Sequence, residues 1–131
     1  MSRLELEALA RRYFHSLSTH AAVAEDFAPG CNRFHSGEQI TNSTGEGGQV
    51  LTCRSSLEGN PPWGPATEYR FPVIDPERGI IVGLALLHYL SESPPRQMYV
   101  FEVFKVVGGR IVHIDNIGLM LDGVETMGFV H

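Results

Sequence analysis

The sequence predicts an α+β fold in which N-terminal helices pack on one face of a curved antiparallel sheet. Apolar residues follow a helical spacing over the first 17 residues. The second half instead contains three apolar runs that are rich in Ile, Val, Phe and Tyr: Ile80–Leu90, Met98–Val107 and Arg110–Leu121. Helices followed by a run of antiparallel strands are typical of folds that segregate the helices to one side of the sheet.

The N-terminal helix has a start signal in the sequence. Ser2 is a predicted N-cap, and Glu5 three residues later completes a capping box. A second short helix is predicted over residues 20–27, ended by Pro29-Gly30. A short strand is then predicted over Cys31–His35.

The middle of the chain is expected to contain two loops. Residues 42–48 form a polar, glycine-rich loop, and residues 49–57 are predicted to form a short helix. The Pro- and Gly-rich segment around Trp63 cannot be regular structure, so it is a surface loop or a lid. A strand over Thr67–Asp75 opens the sheet. No repeat or linker interrupts this pattern, so residues 1–131 are predicted to form a single domain.

Composition and charge exclude several functional classes. Ten basic and fifteen acidic residues give a net charge of -5, the wrong sign for a phosphate backbone, so no nucleic-acid partner is expected. No apolar run approaches the roughly 20 residues that span a bilayer, so no membrane partner is expected. Cys31 and Cys53 lack metal or redox spacing. They are predicted to be free thiols, which favours a reducing, cytoplasmic location.

A curved sheet around one long helix leaves a conical cavity at its open end, and ionisable residues on apolar strands are candidates to line it. Buried ionisable groups are costly unless they are paired or used. His35 shares a strand face with Arg33, whose positive charge favours the neutral imidazole of a general base. The alternative is that His35 is a surface residue at a strand end.

Two acidic residues lie on the apolar strands. Asp115 is flanked by isoleucines on the last strand, where desolvation would suit it to acid or base work; alternatively, it pairs with Arg33 or Arg70. Glu102 lies on an apolar stripe of the preceding strand. It would bind a substrate or orient a catalytic partner, or it is the counter-ion of Arg70.

Five further residues are candidates for binding a substrate. Arg70 lies between aromatic residues and would polarise a carbonyl or hold a carboxylate. Tyr99 is a candidate positioning group, and Trp63 is a candidate lid residue. His88 and His113 are assigned to the cavity or its mouth, with a surface position as the alternative for His88.

No metal or cofactor is predicted. His113 and Asp115 with His35 or His88 would supply nitrogen and oxygen ligands, but neither an HExxH pattern nor a dense histidine cluster supports a metal site. No Gly-rich nucleotide-binding pattern occurs, and no serine has the setting of a nucleophile elbow.

Four segments carry a resemblance to a known family: Arg33–Gly37 with Thr41-Asn42, Tyr69–Gly79, Glu102–Val106 and Gly109–Asp115. The second of these contains Arg-Phe-Pro-Val-Ile-Asp-Pro-Glu-Arg-Gly and is the most distinctive. Over nearly its whole length the chain resembles the SnoaL-like branch of the NTF2-like superfamily, and in particular a fungal group that includes isomerases and cyclases of meroterpenoid biosynthesis. His35 and Asp115 depart from the pattern, because such relatives usually carry Glu there.

The resemblance implies a cone-shaped α+β barrel, often dimeric through the outer sheet face. It also implies a cofactor-free enzyme of secondary metabolism that acts on a small hydrophobic molecule as an isomerase, cyclase or dehydratase. We assign His35 as base, Asp115 as its partner, Arg33 or Arg70 to oxyanion stabilisation, and Glu102 to positioning. The alternatives are a non-catalytic binding or scaffold protein and an epoxide-hydrolase-like enzyme with an Asp–Arg–Asp set.

Overall fold

The N-terminal helix begins and ends as the capping chemistry requires. A computed structural model of the chain describes residues 1–42, 50–59 and 61–121. Helix α1 spans Arg3–Thr19, and its capping box is confirmed, because the Ser2 hydroxyl accepts from the Glu5 N–H while the Glu5 carboxylate accepts from the Ser2 N–H. His20 ends the helix in the left-handed conformation. No helix in the described ranges is long and apolar enough to cross a membrane.

Six strands form one mixed sheet beside this helix. The strands are β1 Phe27–His35, β2 Glu38–Gln39, β3 Ala66–Asp75, β4 Ile80–Tyr89, β5 Arg96–Val107 and β6 Arg110–Leu121. Their order is β2-β1-β6-β5-β4-β3, and every neighbouring pair is antiparallel except β1 with β6. The sheet is therefore mixed and not wholly antiparallel as predicted. After β2 the chain crosses to the opposite edge of the sheet, where β3 begins the antiparallel meander that ends with β6 beside β1.

The predicted short helices are wrong in the described residues. Residues 24–26 form only a single 3-10 turn, and β1 starts at Phe27 instead of Cys31. The Pro29-Gly30 pair lies inside this strand, where the register between β1 and β6 shifts. Such an irregularity tolerates proline, which has no N–H to donate to the neighbouring strand. Another 3-10 turn at Ser55–Leu57 replaces the helix predicted over 49–57. The predicted loop over 42–48 lies outside the described residues beyond Asn42.

The sheet has an inner face against α1 and an outer face on the opposite side. The core between α1 and the inner face is aromatic at its centre, where the Tyr13 and Phe14 rings lie 4.9 and 6.0 Å from the Phe104 ring. Gly83 allows this contact, since a Cβ there would lie 2.7 Å from the Phe14 ring. The outer face carries a second apolar group: Leu84, Leu86, Tyr99, Phe101, Ile117 and Leu119.

A bulge at Val112 decides which β6 side chains face inward. Lys105 pairs with His113, whereas Val106 pairs with Ile111, so Val112 is the extra residue between them. Ile111 and Ile114 are consequently both buried in the core. After the bulge the even-numbered residues of β6 face inward and the odd-numbered residues face outward.

Cys31 and Cys53 form a disulfide, so the prediction of two free thiols is wrong. Their Cα atoms lie 5.8 Å apart, a normal separation for this bond. The bond joins β1 to the segment that carries Ser55 and Ser56. It also removes the support that free thiols gave to a reducing, cytoplasmic location.

Removing the disulfide is expected to lower the free energy of unfolding by about 3 kcal/mol, because the bond closes a loop across a sequence separation of 22. Urea unfolding of the Cys31→Ser, Cys53→Ser double variant against the oxidised native chain measures this change. Alkylation of both cysteines in the native, unreduced protein would contradict the bond itself.

Candidate active site

A cavity of about 440 Å³ opens between β1, the ends of β4 and β5, the segment around Ser56 and the loop around Trp63. A narrow recess of about 30 Å³ adjoins it and reaches toward α1. The two spaces share five lining residues: Arg33, His35, Trp63, Tyr89 and Met98. Glu102 and Asn116 line the recess only. A mostly apolar cavity with a few polar groups at its inner end is the usual form of a small-molecule site.

Glu102 is a buried carboxyl at the inner end of the recess, with 1% of its surface exposed. The Tyr13 hydroxyl donates to its Oε1 at 2.8 Å, and Asn116 Nδ2 donates to the same oxygen at 3.3 Å. Burial raises the pKa of Glu102 above its ordinary value, although Arg33 and these hydrogen bonds oppose the shift. Burial also raises the pKa of Tyr13, so Tyr13 stays a neutral donor.

His35 is linked to Glu102 through Asn116. The Nδ1 atom of His35 is hydrogen-bonded to Asn116 Oδ1. Because the Asn116 amide NH₂ donates to Glu102, its oxygen accepts, and His35 Nδ1 must carry the proton. The neutral imidazole then presents Nε2 as its free base atom. The parallel pairing of His35 with Asn116 on β6 places both side chains on the same inner face.

Arg33 is the cation of the site and is 6% exposed. Its Nη1 donates to Ser56 Oγ at 3.5 Å, and its backbone N–H donates to Thr41 Oγ1 at 2.9 Å. Burial disfavours the charged guanidinium, but the electrostatic influence of Tyr13 and Glu102 outweighs it and the pKa of Arg33 is raised. Arg33 therefore supplies a fixed positive charge beside the recess.

Trp63 is held in place by contacts outside the cavity. Its backbone carbonyl accepts a hydrogen bond from His20 Nε2 at 3.0 Å, and the next residue, Gly64, donates to the His88 carbonyl at 2.6 Å. The indole lines both the cavity and the recess. The structure thus places Trp63 in the cavity wall, where a bound molecule would contact it directly.

The structure places Asp115 and His113 outside the cavity, so their predicted cavity positions are wrong. The Asp115 side chain is 58% exposed on the outer face, and its Oδ2 pairs with His113 Nε2 at 2.9 Å. Simple alternation from the buried Ile111 would bring Asp115 inward, but the bulge at Val112 reverses the side. No Asp–Arg–Asp set is therefore present among the described cavity residues.

Arg70, Tyr99 and His88 also lie on the outer face, which corrects their assignment to substrate binding. Arg70 pairs with the outward-facing Leu84, and Tyr99 alternates with the inward-facing Val100. The predicted candidates that do come together are Arg33, His35 and Trp63 at the cavity and the recess, and Glu102 at the recess. His88 instead hydrogen-bonds Thr67 Oγ1 at 2.8 Å. Across the described ranges, no group of three or more potential ligand side chains is arranged for a metal ion.

Tyr13, Asn116 and Tyr89 are site residues that the sequence analysis did not assign. Tyr13 belongs to the apolar stripe of α1, so its spacing indicates only core packing. Asn116 alternates with Ile114 on β6, and a polar side chain on an apolar face was the available signal. Tyr89 ends β4 and lines the cavity, where burial raises its pKa.

Glu102→Gln is expected to change how stability depends on pH. Because the pKa of Glu102 is raised in the folded protein, the folded state holds this proton more tightly than the unfolded state. The native chain therefore loses stability as the pH rises from the ordinary value of 4.5 through the folded pKa. Glutamine keeps an acceptor for Tyr13 and does not titrate, so the variant should avoid this loss.

Urea unfolding at a series of pH values from acid to neutral measures the effect, with the exposed Glu77→Gln as the matched control. The native and Glu77→Gln curves should fall together, and the Glu102→Gln curve should diverge upward from them. A Glu102→Gln curve parallel to the native one would contradict a raised pKa at this carboxyl.

One helix packed on a six-stranded mixed sheet is an α+β fold, and solved structures share this fold. Two similar structures are AclR from Streptomyces galilaeus, described as "a putative hydroxylase", and an NTF-2 like protein of unknown function from Burkholderia xenovorans LB400. AclR gives a TM-score of 0.60 at 11% identity, covering 90% of this chain and 91% of its own. The second gives 0.56 at 13% identity, covering 95% and 89%. At these identities the likeness concerns the fold alone.

Residues 1–118 match the family described as Domain of unknown function (DUF8021), and the chain belongs to this family. None of the curated proteins compared with the chain matches it.

Proposed function

We propose that the protein is a cofactor-independent enzyme that moves protons on a small, largely apolar organic molecule, as an isomerase, cyclase or dehydratase. The observation that carries the proposal is the hydrogen-bonded chain from His35 through Asn116 to the buried Glu102. It joins a histidine that lines the cavity to a carboxyl whose pKa is raised by burial. Two titratable groups in such different environments suit an acid and a base.

In the proposed mechanism His35 Nε2 accepts a proton from the bound substrate and later returns it at another position. Asn116 is a positioning residue, because it holds the Nδ1 proton and the ring orientation. Burial favours the neutral form of Glu102, Tyr13 orients it, and Arg33 stabilises negative charge that develops on the substrate. Proton transfer of this kind contributes roughly 10²–10⁴-fold per group.

The pathway and the overall shape belong to the same proposal. The resemblance to SnoaL-like proteins favours a place in secondary metabolism, of polyketide or meroterpenoid type. The fold would then be the cone-shaped variant, with the cavity at its open end. The apolar residues of the cavity wall, among them Leu51, Trp63 and Met98, support a hydrophobic substrate.

Deuterium exchange tests the reaction class without knowledge of the natural substrate. A panel of small apolar molecules with acidic C–H bonds, including ketones, enones and lactones, is incubated with the protein in D₂O. Mass spectrometry should detect deuterium incorporation that depends on the native protein and is lost in His35→Ala. Binding of the panel without any catalysed exchange would instead indicate the alternative, a non-catalytic binding protein.

The outer sheet face is proposed to form a homodimer contact. A groove of about 320 Å³ on this face is lined by Leu84, Tyr99, Phe101, Ile117 and Leu119. Ile117 is 59% exposed, and Phe101 directly opposite it is 39% exposed. Large apolar patches of this kind usually mark contact sites. Ile114 does not contribute to this face, because it is fully buried in the core.

Ile117→Glu is expected to convert a dimer to a monomer, because it would place a charge in the centre of the apolar contact. Sedimentation at micromolar concentration should give twice the chain mass of 14.5 kDa for the native protein and a single chain mass for the variant. Leu4→Glu, at an exposed position on α1, is the matched control. A native protein that sediments only as the single chain would contradict the dimer.

A further inference from the structure

Three residues that line the recess each carry a buried polar atom without a hydrogen-bond partner. The atoms are Arg33 Nε, Trp63 Nε1 and Glu102 Oε2. Buried polar atoms are normally satisfied, so several unpaired ones in a single small space require an explanation. A fourth such atom, Glu68 Oε2, belongs to a residue that does not line either space. Three of these four unpaired atoms therefore belong to residues that line the same recess.

All three groups can donate a hydrogen bond to a ligand. The Nε–H of Arg33 and the Nε1–H of Trp63 can only donate. Glu102 uses Oε1 to accept from Tyr13 and Asn116, so Oε2 is the oxygen that carries the proton when the carboxyl is neutral. Three donors on residues that line the same small recess complement an acceptor oxygen. A volume of about 30 Å³ accommodates a group the size of a water molecule, not a ring or a phosphate.

We propose that the recess binds the carbonyl oxygen of a ketone-type substrate, whose apolar skeleton occupies the larger cavity. This inference rests on the proposed function and makes the reaction specific. His35 Nε2 takes a proton from the carbon next to the carbonyl, and the C–H electron pair forms a C=C bond. The C=O π pair moves onto the oxygen, which the three donors hold as an enolate. In a β,γ-unsaturated ketone, return of the proton from His35 to the far carbon of the conjugated enolate shifts the C=C bond and restores the carbonyl, so no oxidant or reductant is consumed.

A carboxylate fits the recess less well than a ketone oxygen. It would bring two oxygens into a space the size of one water molecule, and burying its full negative charge costs more than burying a neutral oxygen. A ketone oxygen accepts hydrogen bonds and becomes negative only during the reaction. The donors are thereby used where charge develops, which favours the transition state over the bound substrate.

Binding of simple probes to the full chain tests this inference without any turnover. Trp63 is the only tryptophan in the sequence, so its indole N–H gives one assignable signal in a ¹H–¹⁵N spectrum. The probes are acetophenone, benzoate and ethylbenzene, which share a ring and differ in the group offered to the recess. Acetophenone should move the indole N–H signal downfield, and ethylbenzene should not. Acetophenone should also bind more tightly than benzoate.

Trp63→Phe removes the indole N–H and keeps an aromatic ring in the cavity wall. It should raise the Kd of acetophenone by about 2–10-fold, the usual value of one hydrogen bond, and leave the Kd of ethylbenzene unchanged. Tyr99→Phe on the outer face is the control and should change neither. Tighter binding of benzoate than acetophenone, or equal effects of Trp63→Phe on both neutral probes, would overturn the inference. If the binding pattern holds while no probe exchanges deuterium, the catalytic proposal fails and the ketone site stands.

Discussion

Replacing His35 with alanine is expected to lower turnover by at least about 10²-fold while leaving the thermal unfolding temperature within a few degrees. His35 is the group at the cavity whose free nitrogen can accept a proton, because Asn116 holds the other ring nitrogen. Its side chain is only partly buried at the end of β1, so its removal leaves no large void in the core. The loss should therefore appear in kcat more than in stability.

His113→Ala is the matched control for this prediction. His113 is also a partly exposed histidine on a strand, and β6 is the direct neighbour of β1. It faces outward and pairs with Asp115, so its removal should leave turnover within a factor of about two. A fully active His35→Ala protein would transfer the base role to another group.

The main elements of the fold could be predicted because their signals are local. The capping box of Ser2 and Glu5 and the apolar runs of the last three strands lie within a few residues of one another in the sequence. The bulge at Val112 could not be predicted, because it depends on how β6 pairs with β5. The disulfide could not be predicted either, since nothing in the spacing of Cys31 and Cys53 reports their distance in space.

The candidate site was only partly predictable for the same reason. Glu102 was correctly placed on an inner apolar stripe, because β5 has no bulge before it and strict alternation holds. Asp115 was placed inward by alternation across a bulge, and the residue that faces the cavity is its neighbour Asn116. Tyr13 comes from α1, and its contact with Glu102 joins residues 89 positions apart. A contact of this kind follows from packing, not from any sequence pattern.

Glu102→Ala is expected to lower kcat/KM by about 10²–10³-fold, the usual cost of removing one donor from an oxyanion site. It should also lower the free energy of unfolding, because the Tyr13 hydroxyl and the Asn116 amide would lose their buried acceptor. Glu102→Gln keeps an acceptor for both groups and offers an amide N–H toward the recess. It should therefore retain most of the stability and more of the activity than Glu102→Ala.

The pH profile distinguishes the contribution of the Glu102 proton from the contribution of the size and shape of its side chain. In the native enzyme, kcat/KM should fall at higher pH as Glu102 ionises, which gives the profile an alkaline limb. Because burial raises the pKa of Glu102, this fall should lie above the ordinary range of a carboxyl. Glu102→Gln has no proton to lose there, so its profile should lack the alkaline limb. An alkaline limb that survives in Glu102→Gln would show that the neutral form of Glu102 is not required, and the donor in the recess would have to be Arg33 or Trp63 alone.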